Sequence, residues 1–175
     1  MAENCEKPVM AGSLASRDEI LARLDGLGIA YEHYTHVPVM AAADRYPLEL
    51  GFGAQVCKNL LVAPRNESRF LLVMIPFEKS VDLKALRDAF GTARLQFAPA
   101  HRLAELLDQQ QGAVGVCGVI HDREKRIEVV FDAALRDRPR IAMHPGVNTE
   151  TVVMPFAELE RYVRANGTKV WFYEF

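Results

Sequence analysis

Hydrophobic positions along the chain fall into blocks whose period alternates between helical and extended. Ile20, Leu21, Leu24 and Leu27 recur at helical spacing behind a Ser16-Arg17-Asp18-Glu19 capping box. Gly28 stops the run, which predicts a helix over 16–27. Residues 31–35 alternate with a period of two and predict a strand. The apolar runs 56–63 and 70–75 flank the turn Pro64-Arg65-Asn66-Glu67 and read as a hairpin with a long loop. Asp82 can cap a helix carrying Leu83, Leu86 and Phe90 on one side, ended by Gly91. Residues 93–97 form a short extended piece, and Pro99 opens a helix through Leu103, Leu106 and Leu107. Further strands are predicted at 127–131, 140–143 and 151–154. Pro155 starts a helix bearing Phe156, Leu159 and Val163, Asn166-Gly167 ends it, and 169–174 closes the sheet.

Between these blocks, residues 40–45 read as a short helix, 46–55 as a glycine-punctuated loop, and 109–111 as a polar loop. There are no repeats and no linker. Helices flanking about seven strands predict one α/β domain, with a mixed, mostly antiparallel sheet and helices packed on it. It is expected to span 16–175, behind a flexible leader at 1–15.

Composition narrows the class. Half of the 175 residues are apolar, which excludes intrinsic disorder and suffices for one sizeable core. A net charge of −2 and a pI near 6.2 argue against a surface that coats nucleic acid, and so against DNA as a partner. A local contact with one end of an RNA stays open. Three widely spaced cysteines, Cys5, Cys57 and Cys117, suit a reducing cytoplasm better than a disulfide framework. No run has the roughly 20 apolar residues of a membrane span, and the N-terminus carries no signal-peptide core. The expectation is a soluble cytoplasmic protein.

No phosphate-binding loop, dinucleotide fingerprint, HExxH or GxSxG occurs. His33 and His36 with Cys57 do not make a closed metal set, so neither metal nor cofactor is expected. Cys57 and Cys117 sit in apolar surroundings that disfavour a thiolate nucleophile. Three stretches hold more promise. His144-Pro145-Gly146-Val147-Asn148 is a tight loop between two strands that presents an imidazole and a carboxamide. Lys58 and Asn59 begin an otherwise apolar strand, where a lysine needs either an anion or an edge position. Gly112–Gly118 mixes glycine with valine, which predicts either a close approach of backbone to something else or an unusual turn.

Four segments in order give these stretches a common setting: residues 28–39 (Gly-Ile-Ala-Tyr-Glu-His-Tyr-Thr-His-Val-Pro-Val), 57–62 (Cys-Lys-Asn-Leu-Leu-Val), 81–87 with 94–98, and 144–151 (His-Pro-Gly-Val-Asn-Thr-Glu-Thr). Over roughly 16–165 the chain resembles the bacterial prolyl-tRNA synthetase editing domain and its free-standing relatives, the YbaK/ProX superfamily. It looks nearest to the free-standing alanyl-tRNA(Pro) deacylases. The resemblance implies a hydrolase that cleaves the ester between a wrongly attached small amino acid and the terminal adenosine of tRNA. Its partners would be the aminoacyl-tRNA 3′ end and prolyl-tRNA synthetase. The family's lysine and asparagine map to Lys58 and Asn59, the histidine and asparagine of its HPxxN loop to His144 and Asn148, and the glycine of its GxxxP loop to Gly112. The proline of that last loop is Val116 here, which bears on amino-acid choice, and 40–55 departs from the family's acidic helix.

Those residues permit a scheme without a protein nucleophile. Lys58 offers charge to a phosphate or ribose oxygen, and Asn59 and Asn148 hold the ribose or aminoacyl group. Amides around Gly112 and Gly115 polarise the ester carbonyl, and His144 carries or positions a proton for attacking water. Val37, Val39, Met40 and Leu60 are candidate pocket walls, against the plainer reading of core packing. The alternatives are a deacylase for serine, cysteine or threonine, or a module that binds an aminoacyl-nucleotide or a synthetase without catalysis.

Overall fold

The computed structural model describes residues 10–39 and 51–175. Among these residues, eight strands form one sheet: β1 (Glu32–Thr35), β2 (Gln55–Pro64), β3 (Phe70–Pro76), β4 (Leu95–Phe97), β5 (Ile127–Asp132), β6 (Ile141–Met143), β7 (Glu150–Met154) and β8 (Lys169–Tyr173). Their order is β1-β7-β6-β2-β3-β5-β8, with β4 pairing β2 off this path. The 56–63 and 70–75 runs make the expected antiparallel hairpin, β2 with β3. β3 is buried along its whole length because it lies between β2 and β5 and is covered on both faces. The short extended piece before Pro99 proves to be the strand β4.

Among the described residues, four α-helices cover the sheet: α1 (Leu14–Gly26), α2 (Leu83–Phe90), α3 (Ala100–Leu107) and α4 (Phe156–Ala165). The larger core cluster joins Ile20 and Leu24 of α1, Leu103 and Leu107 of α3, and Leu159 and Val163 of α4 to one face of the sheet. The smaller cluster joins Leu86 of α2 to Val62, Leu71, Val73 and Ile75 on the other. Asp82 caps α2 as expected, accepting from the amides of Lys84 and Ala85, and Gly91 ends it in the left-handed region at φ 60°.

The first helix starts earlier than its pattern predicts. Ser13, not Ser16, is the cap, and its side chain accepts from the Ser16 amide. Ser16 is instead fully buried, with its hydroxyl 2.9 Å from His121 Nε2. Ordered structure also reaches into the expected leader. Gly12 bridges Val147, and the Asn148 amide donates to the Ala11 carbonyl at 3.0 Å. Residues 40–45, Met40 among them, lie outside the described residues.

One feature of the sheet positions the site. On the side of β2 away from β3, the parallel pairing with β6 ends at Val56 and the pairing with β4 begins at Val62. Among the described residues, the strand between them has an open edge.

Candidate active site

That open edge forms one wall of a cavity of about 450 Å³. The other walls come from Phe97 and Ala98 at the end of β4, from Gly112 and Val114, and from His144 beyond β6. Pairing geometry dictates what β2 shows to it. The Phe77 amide donates to the Val56 carbonyl, so even-numbered residues of β2 exchange hydrogen bonds with β3. Odd-numbered residues direct their main-chain groups to the opposite edge, and the Ala98 amide accordingly reaches the Leu61 carbonyl at 2.8 Å. Asn59 lies in the middle of the unpaired stretch.

Lys58, Asn59, Gly112, His144 and Val39 all line this cavity, although they come from four separate parts of the chain. Lys58 and Asn59 meet it differently. Side chains alternate across a strand, so Asn59 points to the face of the larger core and Lys58 to the face of the smaller one. The Lys58 ammonium lies 5.3 Å from the centre of the Phe77 ring. Asn59 Oδ1 is buried with no hydrogen-bond partner among the described residues. Leu60 contributes to the wall, whereas Val37 is 76% exposed and does not.

Two further candidates stand off the cavity walls. Asn148 is fully buried, and its Oδ1 accepts the Ala11 amide at 2.7 Å. Its amide and carbonyl are bonded to Ala11 and Val39, so it braces the loop that carries His144. The Gly115 amide donates to Gln109 Oε1 at 3.0 Å and the Ala113 amide to the Gln110 carbonyl, so neither points a donor at the cavity. Gly115 has another task. A Cβ there would stand 2.1 Å from the His144 carbonyl oxygen, so only glycine lets the two loops pack. This is the close backbone approach that the glycine-rich stretch predicts. Gln109, expected in a polar loop, is buried and serves as the post around which that stretch is wrapped.

His144 is held from behind. Its Nδ1 lies 2.9 Å from the Glu150 carbonyl, an acceptor only, so Nδ1 carries the proton and Nε2 is the basic nitrogen of the neutral ring. Glu150 begins β7, and its carboxylate is clamped by Arg17 and by His33 Nε2 at 2.6 Å. Thr151, on the cavity wall, bonds His36 Nε2 at 2.8 Å. Glu150 and Thr151 lie in the 144–151 segment that the sequence singles out, but nothing in it gives either a role.

The profile of the aminoacyl-tRNA editing domain family matches residues 36–162. The chain belongs to that family. The editing domain is 34% identical over 152 residues to the prolyl-tRNA editing protein ProX of Acetoanaerobium sticklandii, covering 87% of this chain and 93% of the relative. Its fold matches a crystal structure of a hypothetical protein with TM-score 0.70 and 21% identity, over 88% of this chain and 97% of the other. A candidate trans-editing enzyme for prolyl tRNA synthetase matches with TM-score 0.68 and 15% identity, over 91% and 97%. The family's chemistry makes the protein an aminoacyl-tRNA deacylase.

The nucleophile of an editing domain can be a side chain or water, and the side chains here are poorly placed. Burial pushes the Cys57 thiol far up and that of Cys117 up to about 12. Ser16, His121 and Glu19 are arranged like a hydrolase triad, with Glu19 Oε2 3.5 Å from His121 Nδ1. Ser16 is fully buried, however, and does not line the cavity. The histidines weighed as metal ligands are engaged with Glu150 and Thr151, and no group of three or more potential ligands occurs among the described residues. No helix among those residues is long and apolar enough to cross a membrane.

Proposed function

We propose that the protein is a trans-editing hydrolase that deacylates Ala-tRNA(Pro) in the cytoplasm, in association with prolyl-tRNA synthetase. The observation that carries this reading is the single small cavity shared by Lys58, Asn59, Gly112 and His144. A volume of about 450 Å³ suits a small aminoacyl group with part of its ribose. A synthetase that activates proline cannot strongly reject alanine, because missing methylenes are worth only about 1–3 kcal/mol. A second pocket that admits alanine and excludes proline supplies the missing discrimination.

In this scheme water attacks the ester carbonyl. His144 Nε2 accepts a proton from it, because Nδ1 is committed to Glu150. Lys58 approaches from the far side of β2, where its charge meets a phosphate or ribose oxygen of the terminal nucleotide. Asn59 receives the aminoacyl group. The ester is already reactive, so positioning and charge stabilisation carry most of the acceleration.

The test is deacylation of alanyl-, seryl-, cysteinyl-, threonyl- and prolyl-tRNA by the wild type and by Lys58→Ala. Alanyl-tRNA(Pro) is expected to lose its amino acid well above the spontaneous rate, with prolyl-tRNA spared and the variant inactive. Binding of all five without turnover overturns the hydrolase scheme. Preference for another amino acid overturns the alanine assignment alone.

A further inference from the structure

We infer that the aminoacyl group is bound by the main chain of β2, as though it were one residue of an added strand. This rests on the deacylase reading above and assigns the recognition element of that same cavity. Asn59 directs its N–H and its C=O to the edge of β2 away from β3, in the gap between the pairings with β6 and β4. Neither group has a partner among the described residues. An unpaired donor and acceptor on one extended residue form a two-point template. An aminoacyl ester carries the complementary pair, because its carbonyl oxygen accepts and its α-ammonium, two bonds away from that carbonyl carbon, donates. The spacing is that of two residues facing each other across an antiparallel ladder.

A second observation points the same way. Asn59 Oδ1 is buried at the cavity wall without a partner. An orphaned acceptor in that position is costly unless a ligand completes it. The α-ammonium has three hydrogens, so it can satisfy both this oxygen and the Asn59 carbonyl. The glycine-rich loop competes poorly for the same role, since the amides of Ala113 and Gly115 are already donated to Gln110 and Gln109.

The bond changes follow from this docking. Water adds to the ester carbonyl carbon, and the carbonyl π pair moves onto the oxygen beside the Asn59 N–H. When the adduct collapses, that pair re-forms the carbonyl and the bond to the ribose oxygen breaks. The leaving oxygen takes up the proton that the water gave to His144. Asn59 thus acts through its peptide group, which a side-chain substitution leaves in place.

The experiment uses the full-length, 15N-labelled protein and 3′-deoxy-3′-(alanylamino)adenosine, whose amide resists hydrolysis. On titration the Asn59 amide proton is expected to move downfield and to exchange with solvent at least tenfold more slowly, while the Ala113 and Gly115 amides hold their positions. Asn59→Ala is expected to weaken binding about tenfold yet keep the exchange protection at position 59. The spectrum of that variant also reports whether it is folded. Deacylation of charged tRNA is measured on the same wild-type sample. An active enzyme that binds the analogue without moving the Asn59 amide overturns the edge-binding inference and leaves the deacylase reading intact. An inactive protein that does not bind the analogue overturns both.

Discussion

At the scale of single residues, the cavity depends on backbone that cannot tolerate side chains. Gly115 lies against the His144 carbonyl, with no room for even a methyl group. Gly115→Ala is therefore expected to push the Gly112–Gly118 stretch and the His144 loop apart. Steric insertion into a packed site of this kind costs about 1–3 kcal/mol. The expected outcome is a lower melting temperature and a loss of deacylation larger than the stability change explains. Retention of wild-type turnover would show that the contact is not needed for the chemistry. His144 illustrates the complementary point. Its ring is oriented by the main chain of another strand, so the tautomer that presents a basic Nε2 is set by peptide geometry.

At the scale of elements, β7 is the support on which that tautomer depends. Glu150 opens the strand, its carbonyl receives His144 Nδ1–H, and its carboxylate is tied to Arg17 of α1 and His33 of β1. Glu150→Gln removes the charge that holds Arg17 and is expected to cost about 2 kcal/mol by the usual worth of a hydrogen bond between charged groups. Because the strand start also orients His144, kcat should fall with KM nearly unchanged, as steady-state kinetics on alanyl-tRNA would measure. Most of the elements were legible in the sequence. Asp82, Gly91, Pro99 and Pro155 punctuate the chain with strong local chemistry, and the helices fall where those residues put them. The start of α1 departs from its sequence pattern because Ser16 satisfies the capping-box pattern while its hydroxyl is used by His121, a partner from a distant element. Asn148 stands off the cavity wall for a similar reason. A carboxamide looks alike in sequence whether it faces a ligand or braces a loop, and only long-range packing decides. The positions of Lys58, Asn59, Gly112 and His144 could be named from the sequence. What it could not reveal was the gap between β6 and β4 that opens the edge of β2, since that follows from register.

At the scale of the whole molecule, the far side of the sheet is stitched by charge. Arg69 makes two parallel hydrogen bonds to Glu128 at 2.8 Å and packs over the rings of Phe90 and Trp171. Burial alone would raise the Glu128 carboxyl. Hydrogen bonds from Arg69 and Trp171, with the charges of Arg69 and Lys169, outweigh it and hold the group below the ordinary carboxylate range. A carboxylate depressed on folding contributes stability above its unfolded pKa of 4.5, and that contribution is lost as pH falls through the folded value. Glu128→Gln should accordingly destabilise the protein by about 1.5–3 kcal/mol near pH 7, the range for hydrogen bonds to charged groups. The difference from wild type should shrink in acid, as paired thermal melts at the two pH values would record. An equal deficit at both would place the loss in packing rather than in charge.

The pairing of Ala11 and Gly12 with Val147 and Asn148 gives the molecule a handle. Residues just upstream of the first helix are hydrogen-bonded to the same turn that carries the imidazole, so the first described residues and the candidate site share one support. A small fluorophore at the exposed Met10 position would therefore report movement of that turn without replacing any residue that lines the pocket.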